Sequence, residues 1–474
     1  MGGGRQPGLT AEVDTIFARA TGTGLAAVAI VRLSGPRALE IGRKLFRRRS
    51  GNEQAIWRSH RLVPGRLVDP ETGKPLDEIL AAFFAAARSP TGEELMEFHC
   101  HGSETVLRQV CKLMAKHGGR PAKPGEFSRR GFLNGKLTLD QAESIDELIR
   151  SRSEEGSLLE VANLSGALKT RISSLRAEVL ELLASLEAGL DFPEDEVPIT
   201  DQLAGRIDGL RVAISKLAAS QERGRMLRDG LRVVLAGAPN VGKSSLLNAL
   251  LKSERAIVSE TPGTTRDTIE ETLHFRGLAY LLVDTAGLRD ARGSVEEQGI
   301  ARARGELERA DIVLLVLDLS RDVTLEEVAL ADWLRDSGKT VLVTGNKQDI
   351  GRIDLEEEVA RLWTALKLPA IISAISALTG AGIKALLEAL HELASSRLKG
   401  ETGEPTVTAE RHRDCLHRAG EALESFQRAC DGGVPQDICL VELHEAARHL
   451  GAITGEIATD DILDVIFGKF CIGK

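Results

Sequence analysis

Residues Arg232–Ala236 form an apolar strand pattern that runs straight into Gly237-Ala238-Pro239-Asn240-Val241-Gly242-Lys243-Ser244, and a helical pattern follows over Ser245–Leu251. The order is strand, glycine-punctuated loop, helix, and the loop fits G-x-x-x-x-G-K-[ST] in the context that motif requires. Its glycines let backbone N–H groups turn toward phosphate oxygens, and the positive end of the following helix adds to the attraction. Lys243 is suited to bridge the β- and γ-phosphates, and the Ser244 hydroxyl to hold Mg2+.

Three further segments arrive in the order that a parallel nucleotide-binding sheet needs. The strand Leu281–Val283 ends in Asp284-Thr285-Ala286-Gly287, which offers a carboxylate to the hydration shell of Mg2+ and an amide to the γ-phosphate. Val341–Thr344 leads into Asn346-Lys347-Gln348-Asp349. A carboxylate there accepts two N–H bonds from guanine that adenine cannot donate. Ile371–Ser373 leads to Ser376-Ala377-Leu378, whose backbone can meet the guanine carbonyl. Between the first two segments lies the Thr-rich loop Thr261-Pro262-Gly263-Thr264-Thr265-Arg266-Asp267. Leu288 follows Asp284-Thr285-Ala286-Gly287 where many Ras-like GTPases carry a water-orienting glutamine, and leucine cannot orient water. Glu296 and Glu297 are candidates for that task, although composition alone favours solvated caps on a helix starting at Val295.

Working outward, 474 residues imply about three domains. With 42% hydrophobic and 28% charged residues the chain is globular, and 3% aromatics argues against an aromatic RNA-stacking platform. No apolar run reaches membrane-spanning length, and the six cysteines lack CxxC pairing, so a reduced, cytoplasmic setting is expected. Net charge is −9, yet residues 1–60 carry ten Lys/Arg against four Asp/Glu. Arg43, Lys44, Arg47, Arg48 and Arg49 are expected on one helix from about Pro36, either as a solvated face or as a contact for an anionic partner such as RNA. The first 134 residues read as mixed α/β, with strands at Ala26–Val31 and Glu94–His99 and helices at Pro36–Phe46 and Glu104–Lys116. His99 and His101 flank Cys100 and are expected on opposite faces of their strand, against a metal site. Long helical patterns follow at Ala142–Arg150, Glu155–Leu190 and Gln202–Arg223. The α/β alternation runs from Leu231 to about Ser395, and the pattern is helical again from Ala409. The expected fold class is multidomain, α/β and α: an N-terminal α/β domain, a discontinuous helical domain and an inserted Ras-like P-loop GTPase domain. Expected boundaries are 1–134, 135–229, 230–397 and 398–474.

The residues resemble the MnmE (TrmE) tRNA-modification GTPase family over nearly the whole chain. The resemblance is carried by Asp14-Thr15-Ile16 with Val31-Arg32-Leu33-Ser34-Gly35, by Pro124-Gly125-Glu126-Phe127 through Phe132-Leu133-Asn134-Gly135-Lys136 to Gln141-Ala142-Glu143, by Gly263-Thr264-Thr265-Arg266-Asp267, and by Cys471-Ile472-Gly473-Lys474. It implies a GTP site made of Asn240, Val241, Gly242, Lys243, Ser244 and Ser245, of Ser259, Glu260, Thr261, Pro262, Gly263, Thr264 and Thr265, of Asp284, Thr285, Ala286 and Gly287, of Asn346, Lys347 and Asp349, and of Ser376, Ala377 and Leu378. It implies Mg2+ on Ser244 and Thr265, and K+ on Asn240, Ser259, Thr261 and Thr264. Glu296 falls on the family's water-orienting glutamate, beside Lys243 as the second catalytic group. Arg32, Glu97, Lys136 and Lys474 match its reduced-folate positions, for 5-formyl- or 5,10-methylene-tetrahydrofolate.

The resemblance further implies a homodimer through a folate-binding N-terminal domain, and a heterotetramer with a flavin-containing MnmG (GidA)-type partner. That assembly would modify the wobble uridine of certain tRNAs at C5, with GTP hydrolysis driving or timing the reaction and no stable membrane insertion. Two other readings stay open on residues alone: a ribosome-assembly GTPase with the same G-domain subtype, and a folate-dependent aminomethyltransferase-like enzyme with a regulatory G domain.

Overall fold

The computed structural model describes residues 14–51, 56–191, 201–253, 270–285, 296–351, 372–400 and 405–474. The chain divides into two compact units, one from residues up to Ile149 with Ala162–Ser215 and Asp414–Lys474, the other from Arg150–Val161 with Lys216–Arg413. No described helix is long and apolar enough to cross a membrane.

In the first unit, strands β1 (Ile16–Arg19), β2 (Ala26–Ser34), β3 (Phe46–Arg48), β4 (Arg61–Val68), β5 (Pro75–Phe84), β6 (Leu95–Gly102) and β7 (Arg120–Pro121) form one sheet. Their order is β3-β4-β5-β6-β2-β1-β7, antiparallel except for the parallel β1–β7 pair. Val31, Leu33, Met96 and Phe98 alternate inward and meet Ile41 and Leu45 of the helix Ala38–Leu45 and Leu107, Val110 and Met114 of the helix Glu104–Lys116. The alternation leaves Cys100 buried while His99 and His101 share the opposite face of β6, so the expectation of imidazoles on opposite faces was wrong. His99 lies 3.5 Å from Glu97, and His101 Nδ1 2.6 Å from Asp77.

The helix expected at Pro36–Phe46 ends within a residue of that bound, but the expectation that it also carries Arg47, Arg48 and Arg49 is corrected. It stops at Leu45 because Phe46 turns extended and sinks into the core, and because the Arg47 guanidinium donates to the terminal carbonyls of Arg43 and Lys44 at 3.0 and 3.2 Å. Arg47 and Arg48 therefore sit on an edge strand. A second break divides the expected helix 155–190 into Glu154–Leu164 and Ala167–Asp191. Gly166 adopts φ 100°, and the Leu164 carbonyl accepts a 2.8 Å bond from Gln141 Nε2 in place of a helical partner. The helix Ala167–Asp191 packs on Gln436–Thr454, with Arg176 Nε donating to Ala447 O at 3.2 Å.

The second unit holds β8 (Leu231–Ala236), β9 (Glu270–Phe275), β10 (Leu278–Asp284), β11 (Ile312–Asp318), β12 (Val341–Asn346) and β13 (Ile372–Ala374) in the order β13-β12-β11-β8-β10-β9. Only β9 runs antiparallel, against β10. β11, sequence IVLLVLD, is buried at every residue, as a strand covered on both faces must be. On one face Val233 and Leu235 pack with Leu246, Leu250 and Leu387 from the helices Lys243–Ser253 and Ile383–Leu398. On the other, Val234, Val313 and Leu315 meet Leu307 and Leu334 from Glu296–Arg309 and Leu325–Asp336. The fold class is thus the expected one: α/β at the amino end, helical segments apart in sequence, and a doubly wound P-loop sheet.

Candidate functional site

β8 is the point at which the sheet's connections reverse, with β9 and β10 on one side and β11 to β13 on the other. Ligands bind outside the carboxyl ends of strands at such a switch point. The loop after β8 turns on Gly237 (φ 147°), Asn240 (φ 63°) and Gly242 (φ 94°). A Cβ on Gly237 would stand 2.3 Å from Val316 O, which is why the close approach to β11 needs glycine. Lys243 opens the helix, buried, and its Nζ donates to Gly237 O at 2.9 Å and Ala238 O at 2.8 Å. The loop's own carbonyls hold the ammonium over the loop. Val241 is buried beneath it, while Asn240 and Ser245 are exposed.

Asp284 ends β10 beside β8, and Ser244 Oγ donates to its Oδ2 at 2.5 Å. Thr285 Oγ1 donates to Leu235 O at 2.8 Å and ties the start of the next loop to the P-loop strand. Asn346, at the end of β12, joins two loops: its Nδ2 donates to Val241 O at 2.8 Å and its Oδ1 accepts from Ala377 N at 2.9 Å. Lys347, at φ 65°, reaches Asp318 Oδ2 at the end of β11 at 2.6 Å. Burial raises the Asp318 pKa, but the Lys347 ammonium and the Ser320 hydroxyl and amide outweigh it and hold the carboxyl below its usual range. Ser376 is buried, with its amide on Ala381 O at 3.0 Å, while Asp349 and Leu378 are exposed at the rim. Asp318 was missed in the sequence, and its place at the carboxyl end of a central parallel strand was the signal available.

Ser259, Glu260, Thr261, Pro262, Gly263, Thr264 and Thr265, together with Ala286 and Gly287, lie outside the described residues. Glu296 begins the helix Glu296–Arg309, but its side chain lies outside them too.

In the first unit Arg32 and Glu97 are register partners on β2 and β6, with Arg32 Nε donating to Glu97 Oε1 at 2.9 Å. The guanidinium lies 5.7 Å from the Phe127 ring centre and its NH1 reaches Gly473 O at 3.5 Å. Phe127 N donates to Lys474 O at 3.0 Å, and Pro124 bridges to Ile472. Residues 441 positions apart thus meet at one place. Lys136 is exposed and donates to Ala87 O at 2.8 Å, and no contact joins it to Arg32 or Glu97.

Next to this lies a charge cluster that the sequence reading did not single out. Arg130 NH2 bonds Asp14 Oδ1 at 2.6 Å and Glu126 Oε1 at 2.9 Å, its NH1 reaches Glu93 at 3.1 Å, and Arg120 NH2 grips Glu126 Oε1 at 2.6 Å. Burial raises the Glu126 pKa, but Arg120, the Lys123 amide and Arg130 outweigh it and bring it to about 2. Burial pushes Glu93 up. The i, i+4 spacing of Glu126 and Arg130 was the available sign.

A glycine loop on a buried lysine, a serine–aspartate pair and an Asn-Lys-x-Asp loop meeting at one switch point define a P-loop GTPase. Residues 15–136 match the GTP-binding protein TrmE N-terminus, and residues 139–471 the MnmE helical domain. The chain is 41% identical to the tRNA modification GTPase MnmE of Moorella thermoacetica over 463 residues, 97% of this chain and 99% of that one. It is 42% identical to the protein of that name from a Synechococcus species over 472 residues, 98% and 100% of the two chains. The solved FeoB G domain of Methanococcus jannaschii is 26% identical, covering 35% of this chain and 97% of that one, at TM-score 0.26. The chain belongs to the MnmE family of tRNA modification GTPases.

Proposed function

We propose that the protein is a potassium-stimulated GTPase of the cytoplasm that acts on tRNA. As a homodimer joined to a flavin-containing MnmG-type partner, it forms the 5-(carboxymethyl)aminomethyl group on the wobble uridine, taking the carbon from a reduced folate. The proposed domains are a folate-binding one at 1–134, a helical one from 135–229 and 398–474, and a G domain at 230–397.

Asn346 carries the nucleotide reading, because one buried side chain fixes the phosphate loop and the Ser376–Leu378 loop to each other. GTP would take the Lys243 ammonium from the loop carbonyls, and Asp349 would accept from guanine N1–H and the 2-amino group. The Ser244 hydroxyl, already within bonding distance of Asp284, fits a magnesium site completed by Thr265, and the ion would neutralise charge on the β- and γ-phosphate oxygens. Asn240 is exposed at positive φ on the loop apex, so its carboxamide oxygen is open to a cation held jointly with Ser259, Thr261 and Thr264. Potassium there would supply the positive charge that an arginine finger supplies elsewhere. Glu296 would orient the attacking water where Leu288 cannot.

For the folate, the Glu97 carboxylate is suited to the pterin 2-amino side and Arg32, Lys136 and Lys474 to carbonyl or glutamyl oxygens. The docking of Gly473 and Lys474 beside Arg32 supports that set. Mass spectrometry of wobble uridines from cells lacking the protein tests the whole reading: full retention of C5 modification refutes it. Calorimetry with 5-formyltetrahydrofolate tests the site, with Arg32→Ala and Glu97→Ala expected to lose folate binding while keeping GTP binding.

A further inference from the structure

Residues 36–66 carry nine Lys/Arg against two Asp/Glu in a chain whose net charge is −9. The fold gathers six of them. The helix Ala38–Leu45 ends with Arg43 and Lys44, β3 supplies Arg47 and Arg48, Arg49 follows, and in the β3–β4 register Arg47 stands opposite Arg66. Like charges directly opposite each other destabilise a sheet, so this arrangement has a cost in the free protein. Neutralisation is partial: Glu40 takes Arg37 at 3.0 Å and Lys44 at 2.8 Å, and Glu78 takes Arg66 at 2.9 Å. Among the described residues no carboxylate pairs with Arg43 or Arg49, and both are exposed.

The surface here is concave. Arg43 and Arg47 border two adjoining hollows, of about 540 and 320 Å3, the first also edged by Lys44, Glu40 and Glu94 and the second walled by Arg48 and Trp57. Trp57 is buried, with the Arg48 guanidinium 4.7 Å from its ring centre. Its ring orients a cation and offers no free face for a base. From Arg43 to Arg49 the backbone contour is roughly 15 Å, more than one phosphate group spans.

We propose that this strip, Arg43, Lys44, Arg47, Arg48 and Arg49 with Arg66, is a docking surface for the phosphodiester backbone of tRNA. The inference rests on the proposed action on tRNA and adds where the RNA is held. Cations without an aromatic platform read phosphates and not sequence, so the strip contributes affinity shared by many tRNAs.

The test uses the full chain, an unmodified tRNA transcript and fluorescence anisotropy at several KCl concentrations. Arg43→Gln/Arg49→Gln removes two exposed cations with which no carboxylate among the described residues pairs. Binding near 0.1 M salt should weaken about 10-fold or more, and the slope of log K against log salt should fall by about 2. Arg108→Gln/Lys112→Gln makes the same charge change on exposed positions of the helix Glu104–Lys116 and should leave both quantities unchanged. Parental binding in the strip variant overturns the strip while the tRNA reading stands. Equal losses in both variants also overturn it, since net charge alone would then explain the effect. Parental protein that fails to bind tRNA overturns both. Unchanged binding together with aggregation of the strip variant would make the arginines guards of an exposed sheet edge.

Discussion

Replacing Asn346 with alanine tests the nucleotide site at the place where its two halves are joined. The side chain is buried, and its loss strands the buried Val241 carbonyl and the half-buried Ala377 amide, now satisfied at 2.8 and 2.9 Å. Each stranded group costs about 1–3 kcal/mol, so at the lower end the pair costs about 2 kcal/mol. That energy is recovered only if the two loops find other partners, so binding has to restore an arrangement the parent holds in advance. Affinity for both GTP and GDP should therefore fall about 30-fold, the equivalent of about 2 kcal/mol. The loss should be alike for the two nucleotides, because Asn346 ties the two loops through Val241 O and Ala377 N whichever nucleotide binds. Isothermal titration or a fluorescent-nucleotide displacement assay reads this directly, with circular dichroism to confirm folding. A second variant sharpens the test. A Cβ at Gly242 would stand 2.3 Å from Asn346 Nδ2, so part of the damage in Gly242→Ala is a clash with that side chain. The double variant should then lose less than the sum of the singles. If folded Asn346→Ala binds both nucleotides within twofold of the parent, the joining role is wrong.

Four other outcomes are expected. Asp349→Asn should lower GTP affinity by several kcal/mol, because a donor then faces guanine N–H groups, and equal GTP binding in a competition assay would refute the assignment. GTP hydrolysis should be much faster in KCl than in NaCl at matched ionic strength, and Asn240→Ala should flatten the difference; equal rates for the parent in both salts end the potassium reading. Glu296→Ala should bind GTP normally and hydrolyse it about 10²-fold more slowly in single-turnover assays, with Glu297→Ala within a few-fold of the parent. Glu126 gives a pH dependence: its folded pKa lies near 2, below the usual 4.5, so its stabilisation is complete above 4.5 and lost as pH falls from 4.5 toward 2. The lowered Asp14 acts in the same direction and the raised Glu93 in the opposite one. Glu126→Gln should melt lower at pH 7 by an amount matching about 3 kcal/mol, and its melting temperature should fall less than the parent's on acidification; identical pH slopes refute the assignment.

The strand–loop–helix of the P-loop was readable because its chemistry is local. Gly237 and Gly242 mark the backbone turns, Lys243 opens the helix, and apolar spacing fixes both flanks. The helix Glu104–Lys116 was read to its last residue for the same reason. The faces expected for His99 and His101 misapplied the two-residue period of a strand, which was legible; the other failures had no local mark. The departure of Arg47, Arg48 and Arg49 from the helix depends on where Phe46 finds its core, and the break at Gly166 on a carbonyl held by Gln141, more than twenty residues earlier. The basic run was visible but not its edge strand. Of the Asp14–Glu126–Arg130 cluster only the i, i+4 spacing of Glu126 and Arg130 left a local sign, since separate charges in a sequence look like surface until a sheet brings them inward. Arg32 and Glu97 likewise read as surface charges without the family pattern.

The helix Asp460–Phe467 belongs to the same apolar cluster as Phe132, Leu139 and Ala142, and Arg129 reaches Asp460 across 331 residues. During synthesis at about 5–20 residues per second, the early side of that cluster waits roughly 15–70 s for its other half. Every element of the P-loop unit emerges within this interval and has no need to wait. The nascent chain thus spends that interval with Phe132, Leu139 and Ala142 uncovered while the amino-terminal sheet already has its own core, and chaperones are expected to hold the uncovered helices. Pulse-chase proteolysis should find the P-loop unit protected before the helices Glu126–Leu133 and Leu139–Arg150, the reverse of their order along the messenger.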